Sequence, residues 1–216
     1  MNSLSASTKL LFIGDSITDV GRTDKRPEDP EGLGLGYPRV IRDYLLAANP
    51  ATAPIVINRG ISGHKITDLA ARWQQDVLDL APDILSVKIG INDVWHGLSF
   101  GGGNGVPVEK FTPVYDDLLR QVREALPACR IVLCEPTVIW APAPAEGNEM
   151  LLPYIAAIHQ LAAKYSVHCV VPLHEAFENA RRLRPDITWT GDGVHPTSAG
   201  HALIAQTWLR SSRFAI

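Results

Sequence analysis

The sequence predicts an α/β domain with a five-stranded parallel sheet covered by helices on both faces. Apolar runs of strand length alternate with segments of 3.6-residue periodicity from end to end. The 216 residues are 46% hydrophobic and 20% charged, enough for one sizeable core. No Ser/Gly/Pro stretch divides the chain into two halves, so one domain is expected over residues 1–216, with residues 1–7 as a short frayed extension.

The first strand is read at residues 9–13, where Leu10-Leu11-Phe12-Ile13 forms a continuous apolar run. Further strands are expected at residues 55–58, 84–89, 131–134 and 168–171. Ile66, Leu69, Ala70, Trp73, Val77 and Leu80 fall on one helical face. Phe111, Tyr115, Leu118, Val122 and Ala125 form a second face, in a helix expected to begin at Thr112-Pro113, a cap followed by a first-turn proline. A helix should cover residues 153–165, and a last one residues 198–210 with Thr197 as its cap. Ligands of such folds bind beyond the carboxyl ends of the strands. Three long loops, at residues 21–36, 96–107 and 135–147, are expected at that edge; the second contains Gly101-Gly102-Gly103.

Composition narrows the function. A net charge of -3, with no basic run longer than Arg181-Arg182-Leu183-Arg184, argues against a nucleic-acid partner. No apolar stretch reaches the roughly 18–20 residues of a membrane span. Residues 1–8 do not read as a secretory signal. Cys129, Cys134 and Cys169 are odd in number and lie in or beside apolar segments, which favours buried free thiols and a cytoplasmic protein. His-Glu-x-x-His, Gly-x-x-x-x-Gly-Lys and Gly-x-Ser-x-Gly patterns are missing, so neither a metal nor another cofactor is expected.

Four blocks can carry chemistry. Gly14-Asp15-Ser16-Ile17-Thr18 leaves a hydroxyl at the end of strand one, beside the unpaired N–H groups of a helix start. Asp192-Gly193-Val194-His195-Pro196 sets a carboxylate three residues before an imidazole in a turn. The carboxylate can fold onto Nδ1–H and leave Nε2 free as a base. By itself that pattern favours an Asx turn capping the last helix. Asn58-Arg59-Gly60-Ile61-Ser62-Gly63 offers a backbone N–H from Gly63, and Gly90-Ile91-Asn92-Asp93 offers the Asn92 amide. Either could stabilise an oxyanion, or they could be a positive-φ turn and a helix cap.

Taken in order, the four blocks resemble the SGNH (GDSL) hydrolase family from Gly14 to Pro196. The resemblance implies a flavodoxin-like three-layer α/β/α sandwich. It also implies Ser16 as nucleophile, His195 as base and Asp192 as its orienting carboxylate. Ser16 N–H, Gly63 and Asn92 would form the oxyanion hole. A narrower resemblance, to intracellular bacterial acetylxylan esterases, rests on residues 12–22, Gly34-Leu35-Gly36-Tyr37, residues 58–63, Ala71-Arg72-Trp73 and Gly90-Ile91-Asn92-Asp93-Val94-Trp95. It implies acetylated xylo-oligosaccharides or related sugars as substrate. A basic residue is expected after that tryptophan, and this chain has His96.

Asp15, Trp95, His96, Trp140 and Trp189 are the expected substrate contacts; exposed rings could stack on a sugar or serve a subunit contact. Trp73 and Trp208 are read as core, and Arg59 and Arg72 as structural ion pairs. Lysophospholipase, arylesterase and thioesterase activities are the enzymatic alternatives. A catalytically silent carbohydrate-binding module is the alternative of another class. The loop at residues 21–36 leaves room for a homo-oligomeric contact.

Overall fold

The computed structural model describes residues 4–22, 29, 31–98 and 103–214. Met1 to Ser3 of the expected extension, and residues 23–28, 30 and 99–102 of two expected loops, lie outside the described residues. The rest of the extension is not frayed: Leu4 is buried, and the Thr8 hydroxyl accepts from Ser5 N–H at 3.0 Å.

Strands β1 (Lys9–Gly14), β2 (Ile55–Gly60), β3 (Ile84–Lys88), β4 (Arg130–Cys134) and β5 (Cys169–Val171) form one sheet. Its order is β2-β1-β3-β4-β5, every pair parallel, so the expected fold class holds. Leu10 to Ile13 are wholly buried, as a strand with helices on both faces requires. His168 immediately precedes β5 instead of opening it.

Helices α1 (Ser16–Asp19), α2 (Tyr37–Ala48), α3 (Ile66–Trp73), α4 (Ile91–Trp95), α5 (Val108–Ala125), α6 (Glu146–Met150), α7 (Leu152–Lys164), α8 (Leu173–Leu183) and α9 (Ser198–Ser212) complete the described elements. Helix α2 packs on α9 and α9 on α8; α3 packs on α5 and α5 on α7. These two groups are the outer layers of an α/β/α sandwich.

Three local expectations are corrected. The stripe from Ile66 is not one helix, because a π-helical turn, Gln74–Leu78, follows Trp73 and keeps both Trp73 and Val77 buried. Ala70 and Ala125 are exposed and lie off the buried faces. Helix α5 begins at Val108, so Pro113 is inside it rather than at its first position. Thr112 does not cap the helix; its hydroxyl donates to the Val108 carbonyl at 2.9 Å. Burial of Phe111 and packing of Val108 on the core outweigh the hydrogen bond lost at the proline.

Thr197 caps α9 as expected, its hydroxyl accepting from Gly200 N–H. One turn further on, His201 is buried, and its Nδ1 accepts from Tyr37 N–H at 3.2 Å, tying α9 to α2. Burial, followed by the nearby Lys88 and His195 charges, pushes the His201 ring down to about 4. The unfolded ring takes its proton near 6.5, so the unfolded state binds more protons between those values. Stability is therefore complete above pH 6.5 and is lost as pH falls towards 4. Between pH 7.5 and 5 the protein should lose about 2 kcal/mol, or roughly 4–8 °C in Tm, relative to His201→Gln. Asp93, whose burial pushes it up to about 7, acts in the opposite direction but equally in both proteins. Equal Tm slopes with pH in the two proteins would refute the assignment.

Candidate active site

The strand order reverses direction between β1 and β3, and the chain leaving each of these strands builds the site. Asp15 caps α1 with its Oδ1, which accepts from Ile17 N–H at 2.9 Å. Ser16 is thereby the first residue of a one-turn helix, where its N–H has no intrahelical acceptor.

Ser16 Oγ lies 2.9 Å from His195 Nε2, and His195 Nδ1 lies 2.7 Å from Asp192 Oδ2. Asp192 Oδ1 accepts from His195 N–H at 2.7 Å and Val194 N–H at 3.0 Å, so the carboxylate makes the Asx turn and orients the ring together. Burial opposes charge on Asp192, but the donated bonds from the His195 ring and from the two N–H groups outweigh it and hold the carboxyl below its usual range. An ionised carboxylate only accepts, so the proton sits on Nδ1 and Nε2 accepts the serine hydroxyl. Both side chains are open to solvent, Asp192 53% and His195 50% exposed.

The expected oxyanion donors stand on segments tied to α1 and to each other. Gly63 has φ +81°, the left-handed region the turn reading requires. Ser62, just before it, donates from N–H (3.1 Å) and hydroxyl (2.7 Å) to Asp19 Oδ2 on α1. Asn92 donates from its amide to the His64 carbonyl at 3.0 Å, which joins α4 to the Gly63 loop and leaves its second N–H available. Arg72 pairs with Asp76 at 2.7 Å and also donates to the carbonyls of Gly14 and Arg59. Arg59 lies 3.6 Å from the same Asp76, so both arginines are structural as read.

The five expected substrate contacts divide. Asp15 is wholly buried beneath Ser16 and presents no carboxylate to a sugar. Trp140 is 7% exposed: its Nε1 donates to Glu178 at 2.9 Å and Arg181 covers its ring. The loop after β4 turns this ring inward, and the Trp140 backbone N–H donates to the Gly193 carbonyl at 2.9 Å, supporting the Asp192–His195 turn from behind. Trp189 is half-buried, its Nε1 bonded to the Arg184 carbonyl at 3.1 Å, and Trp95 is half-buried against the core. His96 does reach the site, its Cε1 only 4.0 Å from where a side chain on Gly63 would begin. Burial, and then Lys65, hold its ring below the usual histidine range, so it is neutral near pH 7.

Asp19 and Asn58 lie in the quoted blocks but carry supporting roles that the sequence does not assign. Asn58, buried in β2, donates to the Thr18 and Leu33 carbonyls at 2.7 and 2.8 Å and so anchors the turn that carries Ser16. An asparagine inside a strand is the one local signal that could have marked it.

Residues 12–203 match the GDSL-like Lipase/Acylhydrolase family. The chain belongs to that family. This GDSL-like hydrolase is 34% identical to an acetylxylan esterase from Geobacillus stearothermophilus over 98% of its own length and 96% of the relative's. The crystal structure of an acetylxylan esterase from that organism superposes with a TM-score of 0.85 at 32% identity, covering 100% of this chain and 98% of the other. Structures of its catalytic mutants include alanine replacements of a serine, an aspartate and a histidine. LAE5, an alpha/beta hydrolase enzyme from the metagenome of Lake Arreo, Spain, superposes with a TM-score of 0.85 at 29% identity, covering 97% of each chain.

Proposed function

We propose that this GDSL-like hydrolase is a serine esterase that removes acetyl groups from acetylated xylo-oligosaccharides or related sugars. The observation that carries the reading is the chain Ser16 Oγ–His195 Nε2, His195 Nδ1–Asp192 Oδ2, at 2.9 and 2.7 Å, open on the solvent side. Its likeness to an acetylxylan esterase supports the choice of acetyl and sugar.

His195 takes the Ser16 proton as the hydroxyl attacks the acetyl carbonyl. Ser16 N–H, Gly63 N–H and the Asn92 amide stabilise the oxyanion, and His195⁺ returns the proton to the leaving sugar hydroxyl. Water, activated by the same histidine, then releases acetate. The exposed histidine suits a bulky leaving alcohol, and the neutral His96 ring can exchange hydrogen bonds with sugar hydroxyls. Trp95 and Trp189 are the remaining aromatic candidates for contact with it.

No helix among the described residues is long and apolar enough to cross a membrane. The free thiols Cys129, Cys134 and Cys169 support a reducing, cytoplasmic setting. The exposed Val40, Tyr44 and Leu46 on α2 are compatible with a homo-oligomer.

The deciding measurement is acetate release from acetylated xylo-oligosaccharides, set against aryl esters, thioesters and lysophospholipids of increasing acyl length. Acetylated sugars should give the highest kcat/KM, with a steep fall beyond short acyl chains. A preference for long acyl chains would refute the substrate, and no turnover on any ester would favour a binding module.

A further inference from the structure

Directly beneath the nucleophile turn lies an ion pair that the reaction as described does not use. Lys88 ends β3 and stands in register with Gly14, the last residue of β1. Its ammonium lies 3.6 Å from Asp15 Oδ2, and both side chains are wholly buried. Neither atom has a hydrogen-bond partner among the described residues, so each charge has chiefly the other for compensation. Withdrawing two charges from water is costly, and an apolar pair of the same shape often serves stability as well or better.

The position of the pair gives it a use. Asp15 Oδ1 accepts from Ile17 N–H at 2.9 Å, so one carboxylate joins Lys88 to the first turn of α1, where Ser16 sits. The linkage has little slack. A side chain on Gly14 would begin 2.2 Å from the Lys88 carbonyl oxygen and 2.6 Å from Thr18 Oγ1, so β3, β1 and α1 are in close contact there. We propose that Lys88 is a positioning residue for Ser16: by holding the Asp15 carboxylate inward, it fixes the α1 turn and keeps Ser16 Oγ within reach of His195. This rests on the reading of Ser16 as the nucleophile.

The test uses Lys88→Met, which keeps the length of the side chain and removes its charge. Two readouts are combined: steady-state kinetics on an aryl acetate, and the rate and end-point of Ser16 labelling by a serine-directed organophosphate. A misplaced serine should lower kcat by about 10- to 100-fold with KM within about twofold, and slow labelling by a similar factor. The labelling end-point counts folded sites, so unfolding lowers it without changing the rate per site. Asp15→Asn combined with Lys88→Met removes both charges and keeps an oxygen for Ile17 N–H; it should recover most of the lost labelling rate. Wild-type kcat and labelling in Lys88→Met would overturn the proposal, as would a double variant no faster than the single one. Should Lys88→Met fail to fold, Lys88→Gln takes its place, alone and combined with Asp15→Asn, with the same expected losses, the same recovery and the same refuting outcomes. Absence of Ser16 labelling in the unmodified protein would instead overturn the nucleophile assignment, and the role of Lys88 with it.

Discussion

Ser16→Ala is expected to lower kcat by about 10⁴-fold or more, with KM little changed. The hydroxyl is the only atom lost, and it stands 2.9 Å from the base with the ring already oriented by Asp192. Without it no acyl-enzyme can form, while the proposed oxyanion donors remain. Groups that act as one unit lose their effect together, so adding His195→Ala to Ser16→Ala should cost almost nothing further. Acetate release measured on the two single variants and the double variant tests both statements. Near-normal turnover by Ser16→Ala would refute the mechanism; a further loss in the double variant as large as His195→Ala causes by itself would refute the coupling.

The second large effect is expected at Asn92. Asn92→Ala should lower kcat by about 10²–10³-fold, equivalent to roughly 2.7–4 kcal/mol, because the amide N–H acts on charge that develops only in the transition state. Asn92→Asp is predicted to be at least as damaging, since it replaces a donor with an acceptor at the same place. Both substitutions also remove the bond to the His64 carbonyl, so part of any change could come from movement of the Gly63 loop. Thermal unfolding separates the two effects. A kcat loss with Tm nearly unchanged supports an oxyanion role, whereas a loss explained by a lower folded fraction refutes it.

Much of this architecture was readable along the chain. The strand end that carries Ser16 is marked by the apolar run Leu10 to Ile13 stopping at Gly14, because a doubly covered strand must be apolar and the close approach of Lys88 and Thr18 leaves no room for a side chain there. Asp192 and His195 were readable because three residues in a turn suffice to bring a carboxylate to an imidazole. The limits of α3 and α5 were less legible. Their local signals, Pro113 and the regular stripe through Leu80, were overridden by packing against the core.

The side chains around the site divide in the same way. Trp140 and Trp189 look alike in sequence, each an aromatic residue in or beside a long loop. Yet Trp140 is sealed by Glu178 and Arg181 on α8, while Trp189 stays half-exposed at the end of that helix. Asp15 adjoins Ser16, yet its carboxylate is wholly buried, accepting from Ile17 N–H and lying 3.6 Å from Lys88 on a neighbouring strand.

Fold class, and the order along the chain of the groups proposed to react, follow from the linear chain, since periodicity and short-range spacing are local properties. Which neighbouring polar and aromatic side chains face the substrate, and which support the site from beneath, emerges from three-dimensional packing. Burial there depends on residues tens of positions away in the chain, meeting across strands and helices that no local pattern encodes.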